Sequence, residues 1–176
     1  MRATPEGAGP VADLDLRAEL ARVHLESHAW AVRCCRGDVV EAEDVLQRAY
    51  MKVLDGAAKF EGKSSFKTWF FGVIRQTARE HARQGWLRII RLERWWRESE
   101  PNEQSGPSDD DRILRLQLVL AKLSRRQQEV LHLVFYQDLT IQEAAHVLKM
   151  PVGTARTHYE RGKARLRQLL QREEEA

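Results

Sequence analysis

The fourteen residues from Glu98 to Asp111 deny this chain a single continuous core. They hold six acids and no base, with Pro101, Ser105, Gly106, Pro107 and Ser108 among them. The stretch has no apolar periodicity to bury and reads as a flexible linker. Fully extended, it reaches at most ~50 Å. Basic blocks flank it. Residues Lys63 to Arg97 contain nine Lys/Arg against Glu80 and Glu93, a net of +7, and Lys149 to Arg172 contain seven against Glu160, a net of +6. The formal charge of the whole 176-residue chain, +3, conceals this distribution. Two basic blocks around an acidic one predict two polyanion-binding units joined by a segment that polyanions repel.

Several classes are excluded early. No apolar run approaches the roughly 20 residues that span a bilayer. Met1 to Pro10 has no apolar h-region, so a signal peptide is not expected and the chain is placed in the cytoplasm. Cys34 and Cys35 are adjacent and make no ordinary disulfide framework. No strand pattern of any length is visible. The expected fold class is all-α, two small helical domains joined by the flexible acidic linker: a disordered N-terminus at 1–12, a first domain at 13–97, the linker at 98–111 and a second domain at 112–172.

In the first domain, Leu16, Leu20, Val23, Ser27, Trp30/Ala31 and Cys34 recur at helical spacing, with Gly37 as a stop. A second helix fits Val39 to Asp55, its apolar stripe formed by Val45, Leu46, Ala49, Tyr50, Val53 and Leu54. A third starts near Ser65 and runs at least to Arg83, burying Phe66, Trp69, Phe70, Val73, Ile74 and Thr77. Trp86 to Glu98 is a further helix, apolar on a wide arc. In the second domain, Ile113, Leu116, Val119, Leu120 and Leu123 form an amphipathic helix. Ser124 with Gln127, and Thr140 with Glu143, fit capping boxes that open the next two helices.

Two segments suit nucleic acid. From Thr140 to about Arg167 the pattern is helix, tight turn, helix, with Ala144, Ala145 and Leu148 at the close crossing and Pro151 in the first turn of the second helix. Arg156, Thr157, Glu160 and Arg161 then share one face, which can enter a major groove, and Lys163, Arg165 and Arg167 lie nearer the phosphates. The other segment runs from the loop at Phe60 into an aromatic helix. There Lys63, Ser64, Ser65 and Lys67 can bond phosphates and a base edge of an opened strand, and Arg75, Gln76, Arg79 and Arg83 follow at helical spacing. The spacing favours Phe66, Trp69 and Phe70 as core, leaving the basic face toward DNA.

In this order, Glu41-Ala-Glu-Asp-Val-Leu-Gln (41–47), Ser65-Phe-Lys-Thr-Trp (65–69), Leu123-Ser-Arg-Arg-Gln-Gln-Glu-Val-Leu (123–131) and Pro151-Val-Gly-Thr-Ala-Arg-Thr (151–157) resemble the extracytoplasmic-function (group IV) sigma factors of bacterial RNA polymerase. The resemblance covers Leu14 to Leu170 except the linker. It implies a sigma region 2 bundle and a region 4 helix-turn-helix. Asp44, Gln47, Arg48, Tyr50 and Lys52 then become contacts to core polymerase. Lys63, Ser64, Ser65, Lys67, Thr68, Trp69, Arg75, Gln76, Arg79 and Arg83 become the minus-ten element, and Thr140, Arg156, Thr157, Glu160, Arg161 and Lys163 the minus-thirty-five reader. The implied partners are core RNA polymerase, promoter DNA and an anti-sigma factor, expected to be membrane-associated as the resemblance implies, with no direct membrane insertion. No cofactor is implied. Arg48 stands where an acid is usual, Gln76 where Asn is common, Lys149 where the turn has Gly, and Glu160 where an aromatic or basic residue is common.

Other signals are weaker. His24, His28 and Cys35 share a helical face, but the outer two are about 16 Å apart along a helix, too far for one ion. No nucleophile–base constellation is evident, so neither a catalytic residue nor a metal site is expected. The aromatic surface from Trp86 to Trp96 either caps the first domain or docks a partner such as an anti-sigma factor or polymerase. The rival reading, a stand-alone helix-turn-helix regulator, leaves Glu41 to Lys52 and the Lys63–Arg83 face unexplained. A nucleic-acid-modifying enzyme lacks its catalytic groups.

Overall fold

The computed structural model describes residues 15–93, 120 and 122–174. The expected N-terminal disorder at 1–12, the linker at 98–111 and the helix positions Ile113, Leu116 and Val119 lie outside the described residues. Within them the architecture is all-α, with no strand: α1 (Leu16–Arg22), α2 (His24–Cys34), α3 (Val39–Leu54), α4 (Phe66–Glu93), α5 (Arg125–Phe135), α6 (Ile141–Leu148) and α7 (Val152–Glu174). The chain divides into two compact units, one through Arg79 and one from Glu80.

In the first unit, the periodicity from Leu16 to Cys34 predicts one helix, but the helix breaks at Val23, whose φ of −99° and ψ of 10° lie outside the helical well. Hydrogen bonds still run from Val23 N–H to Glu19 O and from Ser27 N–H to Val23 O, so the apolar stripe crosses the break intact. Leu20, Val23, Ser27, Trp30, Ala31 and Cys34 are all buried. Gly37 (φ 97°) follows α2 and donates to Val32 O, and Asp38 caps α3 by accepting from Glu41 N–H at 2.9 Å. Helix α3 buries Ala42, Val45, Leu46, Ala49 and Val53 against α2 and α1, while Leu54, expected in that stripe, is 47% exposed at the helix end.

Helix α4 closes this core. Ser65 caps it, its hydroxyl accepting from Thr68 N–H and donating to Thr68 Oγ1 at 2.8 Å. Phe66, Phe70 and Ile74 are buried as expected, but so are Phe71, Thr68, Arg75 and Ala78, while Val73 and Trp69 are only half-buried. The Trp30 indole N–H donates to Phe71 O at 3.0 Å, and the two rings stack at 6.1 Å. A buried indole with its N–H satisfied joins α2 to α4 by both apolar area and a hydrogen bond. The expected helix boundary before Trp86 is absent: α4 runs unbroken through Gly85 to Glu93. An interior Gly costs a helix about 1 kcal/mol relative to Ala, which does not break the helix here.

In the second unit, the expected capping boxes open both α5 and α6. Ser124 and Gln127 bond reciprocally, as do Thr140 and Glu143. Helix α6 ends at Lys149, which adopts the left-handed conformation (φ 50°, ψ 54°). Pro151 lies just before α7 rather than in its first turn, its carbonyl accepting from Ala155 N–H. Helix α7 crosses α5 and α6 along a narrow seam of Ala155, Gly162 and Leu169, seven residues apart and all buried. A Cβ on Gly162 would meet Gln127 and Leu131 at 3.1 Å, so that glycine sets how closely α5 and α7 approach.

Candidate nucleic-acid interface

The second unit brings four of the residues expected to read DNA onto one exposed face. Arg156, Thr157, Glu160 and Arg161 are exposed on α7, opposite the Ala155–Gly162–Leu169 seam. The Thr157 hydroxyl donates to Gly153 O at 2.9 Å, as a helical Thr commonly does. Lys163 is held near the helix, its ammonium 3.6 Å from Glu160 Oε2 and 5.0 Å from the Tyr159 ring centroid. Tyr159 in turn stacks on Phe135 of α5 at 5.8 Å. Thr140 is exposed, but its side chain is engaged in the cap of α6, with Oγ1 donating to Glu143 Oε2 at 2.8 Å. The sequence reading passed over Val152, Gly153 and Thr154, which are exposed in the first turn of α7. Backbone N–H groups at such a helix start suit phosphate, and Pro151 was the available signal.

The first unit splits its expected residues between surface and core. Lys63, Ser65, Gln76, Arg79 and Arg83 are exposed, and Ser64 is half-buried. Thr68 is fully buried and Arg75 is 5% exposed, so neither lies on the outward basic face. This corrects the spacing argument, which placed Arg75 beside Gln76 and Arg79. Phe66, Trp69 and Phe70 form an aromatic cluster with Phe60, whose ring lies 5.2 Å from Trp69 and 5.5 Å from Phe66. Trp69 and Phe60 are its partly exposed members. Two lysines of this segment have carboxylate partners. Lys67 bonds Glu26 of α2 at 2.8 Å and lies over the Phe71 ring, and Lys63 pairs with Glu61. The hydrogen bond to Glu61 raises the Lys63 ammonium pKa, and the Glu61 carboxyl is correspondingly lowered.

On α3, Asp44, Gln47 and Arg48 are exposed opposite the core stripe. Tyr50 is half-buried. Its hydroxyl lies 2.8 Å from His24 Nδ1, its ring stacks on Phe70 at 5.5 Å, and burial raises its phenol pKa. Lys52 is half-buried and donates to Thr77 Oγ1 at 3.2 Å. Two exposed apolar residues escaped the sequence reading: Val40 (75% exposed) and Met51 (56%) flank Asp44 and Gln47 on the outer face. Their signal was an apolar side chain out of phase with the stripe. In the second unit, Phe135 and Tyr136 are similarly exposed at the end of α5. Among the described residues, no group of three or more His, Cys, Asp or Glu is arranged to hold a metal ion, and no helix is long and apolar enough to cross a membrane.

These two units correspond to two known families. The Sigma-70 region 2 family matches residues 21–88, and the Sigma-70, region 4 family matches residues 119–168. The ECF RNA polymerase sigma factor SigX of Bacillus subtilis is 30% identical over 132 residues, covering 71% of this chain and 68% of the relative. The chain belongs to the extracytoplasmic-function sigma factors. The RNA polymerase sigma-E factor of Streptomyces coelicolor is also 30% identical, over 145 residues that cover 76% of this sigma factor and 73% of the relative. In fold, this sigma factor is similar to RpoE of Bartonella quintana, solved in complex with the anti-sigma factor NepR. The TM-score is 0.69 at 24% identity, over 89% of this chain and 97% of that one. CnrH, solved with the cytosolic domain of CnrY, gives 0.60 at 23% identity, over 88% and 86%. As a sigma factor, the protein serves transcription initiation.

Proposed function

We propose that this sigma factor is a dissociable promoter-specificity subunit of cytoplasmic RNA polymerase, with no catalytic activity of its own. The observation that carries the reading is the pairing of two units, one matched to sigma region 2 and the other to region 4, each with an exposed polar face. The domain limits proposed for them are 13–97 and 112–172, joined through residues 98–111. The outer face of α3, with Asp44, Gln47, Arg48, Val40 and Met51, binds core polymerase. Lys63, Ser64, Ser65, Lys67 and Trp69 at the start of α4, with Gln76, Arg79 and Arg83 further along, hold the opened minus-ten strand. Stacking on the partly exposed Trp69 and phosphate contacts from the exposed cations are the chemistry that single strands require. Thr68 and Arg75 support this face from within the core. Helix α7 reads the minus-thirty-five element with Arg156, Thr157, Glu160 and Arg161, with Lys163 and Thr140 beside it. Binding energy, not ATP, opens the duplex.

An anti-sigma factor, membrane-associated or not, is the proposed inhibitory partner. The solved neighbour RpoE supports this, since in the matched structure it is in complex with the anti-sigma factor NepR, and CnrH is likewise seen bound to a partner, the cytosolic domain of CnrY. The deciding experiment is transcription in vitro with bacterial core polymerase on a randomised promoter library, with and without the protein. Transcripts that start only in its presence establish the function and its promoter preferences together. Tight, salt-insensitive operator binding without polymerase, and no transcripts, would replace it with a stand-alone regulator.

A further inference from the structure

The reading face of α7 contains one residue of the wrong charge for phosphate. Arg156 and Arg161 are donors only. The Thr157 hydroxyl hydrogen is directed to Gly153 O. Glu160 therefore supplies the strong acceptor of that face, one helical turn beyond Arg156 and next to Arg161, with its side chain 59% exposed. Its position is braced: Lys163 reaches back to Glu160 Oε2 and is itself seated over Tyr159, which stacks on Phe135. A cationic surround of Arg156, Arg161 and Lys163 reduces the repulsion that a carboxylate meets near DNA.

In the major groove only two bases offer a donor, cytosine through its 4-amino group and adenine through its 6-amino group. Adenine sets its N7 acceptor beside that amine, which opposes a carboxylate. Cytosine has no such acceptor, and its paired guanine offers O6 and N7 to an adjacent arginine. An acid next to an arginine on one helix face thus matches both bases of a C·G pair.

We propose that Glu160 is a base-specificity residue, its carboxylate accepting a hydrogen bond from the 4-amino group of a cytosine in the minus-thirty-five element. This rests on α7 being the minus-thirty-five reader. The test uses the full chain with core polymerase on promoters randomised across that element, each with a barcode in its transcribed region. The wild-type protein enriches C at one position roughly tenfold, the discrimination of one good base-edge contact. Glu160→Ala removes the preference at that position and leaves the others. Glu160→Gln moves it toward adenine, which a carboxamide bonds at N6 and N7. If Glu160→Ala instead raises output uniformly with every preference unchanged, the carboxylate only repels phosphate and the proposal fails. Arg156→Ala and Arg161→Ala serve as separate controls. If neither alters any minus-thirty-five preference, α7 is not the reader, and that result overturns both statements.

Discussion

Helices α4 and α7 are both basic, and both were expected to turn one side toward DNA, yet only α7 keeps its expected face whole. The difference lies in how much of each helix is buried. Helix α7 rests on a narrow seam of Ala155, Gly162 and Leu169, flanked by the half-buried His158, Tyr159, Lys163 and Leu166, so the opposite side of its circumference stays outside. Helix α4 enters a core already occupied by Trp30, Val45 and Val53, and buries Phe66, Thr68, Phe70, Phe71, Ile74, Arg75, Thr77 and Ala78. A narrow seam leaves polar residues where periodicity puts them. A wide arc draws a Thr and an Arg inward with the aromatics.

The contrast can be tested from its strongest element downward. Phe71→Ala should cost the first unit about 3–5 kcal/mol, the range for emptying a buried aromatic site, read by chemical denaturation. A loss below 1 kcal/mol would mean that the arc is not packed as described. Next, Arg75→Ala and Arg79→Ala should separate. The buried Arg75 should cost roughly 1.5–3 kcal/mol of stability. The exposed Arg79 should cost within about 0.5 kcal/mol, but reduce the salt dependence of promoter binding by about one phosphate contact. Equal stability losses would erase the distinction between core and surface. On α7, Gly162→Leu should destabilise the second unit by about 1–2 kcal/mol, because overpacking against Gln127 and Leu131 exceeds the gain in helix propensity. The smallest effect is expected at the turn. Lys149→Gly should stabilise by about 0.5–1 kcal/mol, the relief of a left-handed side chain less the entropy of glycine. No gain in thermal midpoint would mean that Lys149 tolerates its φ of 50° without strain.

What the sequence made legible follows from the same physics. Caps and turns are written locally, so Ser124, Thr140 and Lys149 were readable one residue at a time, whereas the Asp38 cap was not singled out. The break at Val23 was invisible because the sequence around it contains neither Gly nor Pro and the apolar stripe continues across it. The continuity of α4 past Arg83 was missed because the apolar residues from Trp86 onward cover a wide arc and read as a separate helix, whereas the backbone continues without a break to Glu93. Arg75 is the instructive case at the site. Its charge and spacing match those of Arg79, and only the packing of a third helix decides that it lies inside.

The reciprocal caps at Ser124 and Thr140 bear on time as well as energy. Starting a helix is its unfavourable step, since several residues must be fixed before the first bonds repay them. Here two successive helices carry, in their own first turns, the groups that close those turns. The packing that follows joins α5, α6 and α7, neighbours along the chain. A domain assembled from such near-sequence contacts belongs with the helical proteins that fold in microseconds to milliseconds. The unit that carries α7 is thus built to reach its shape quickly.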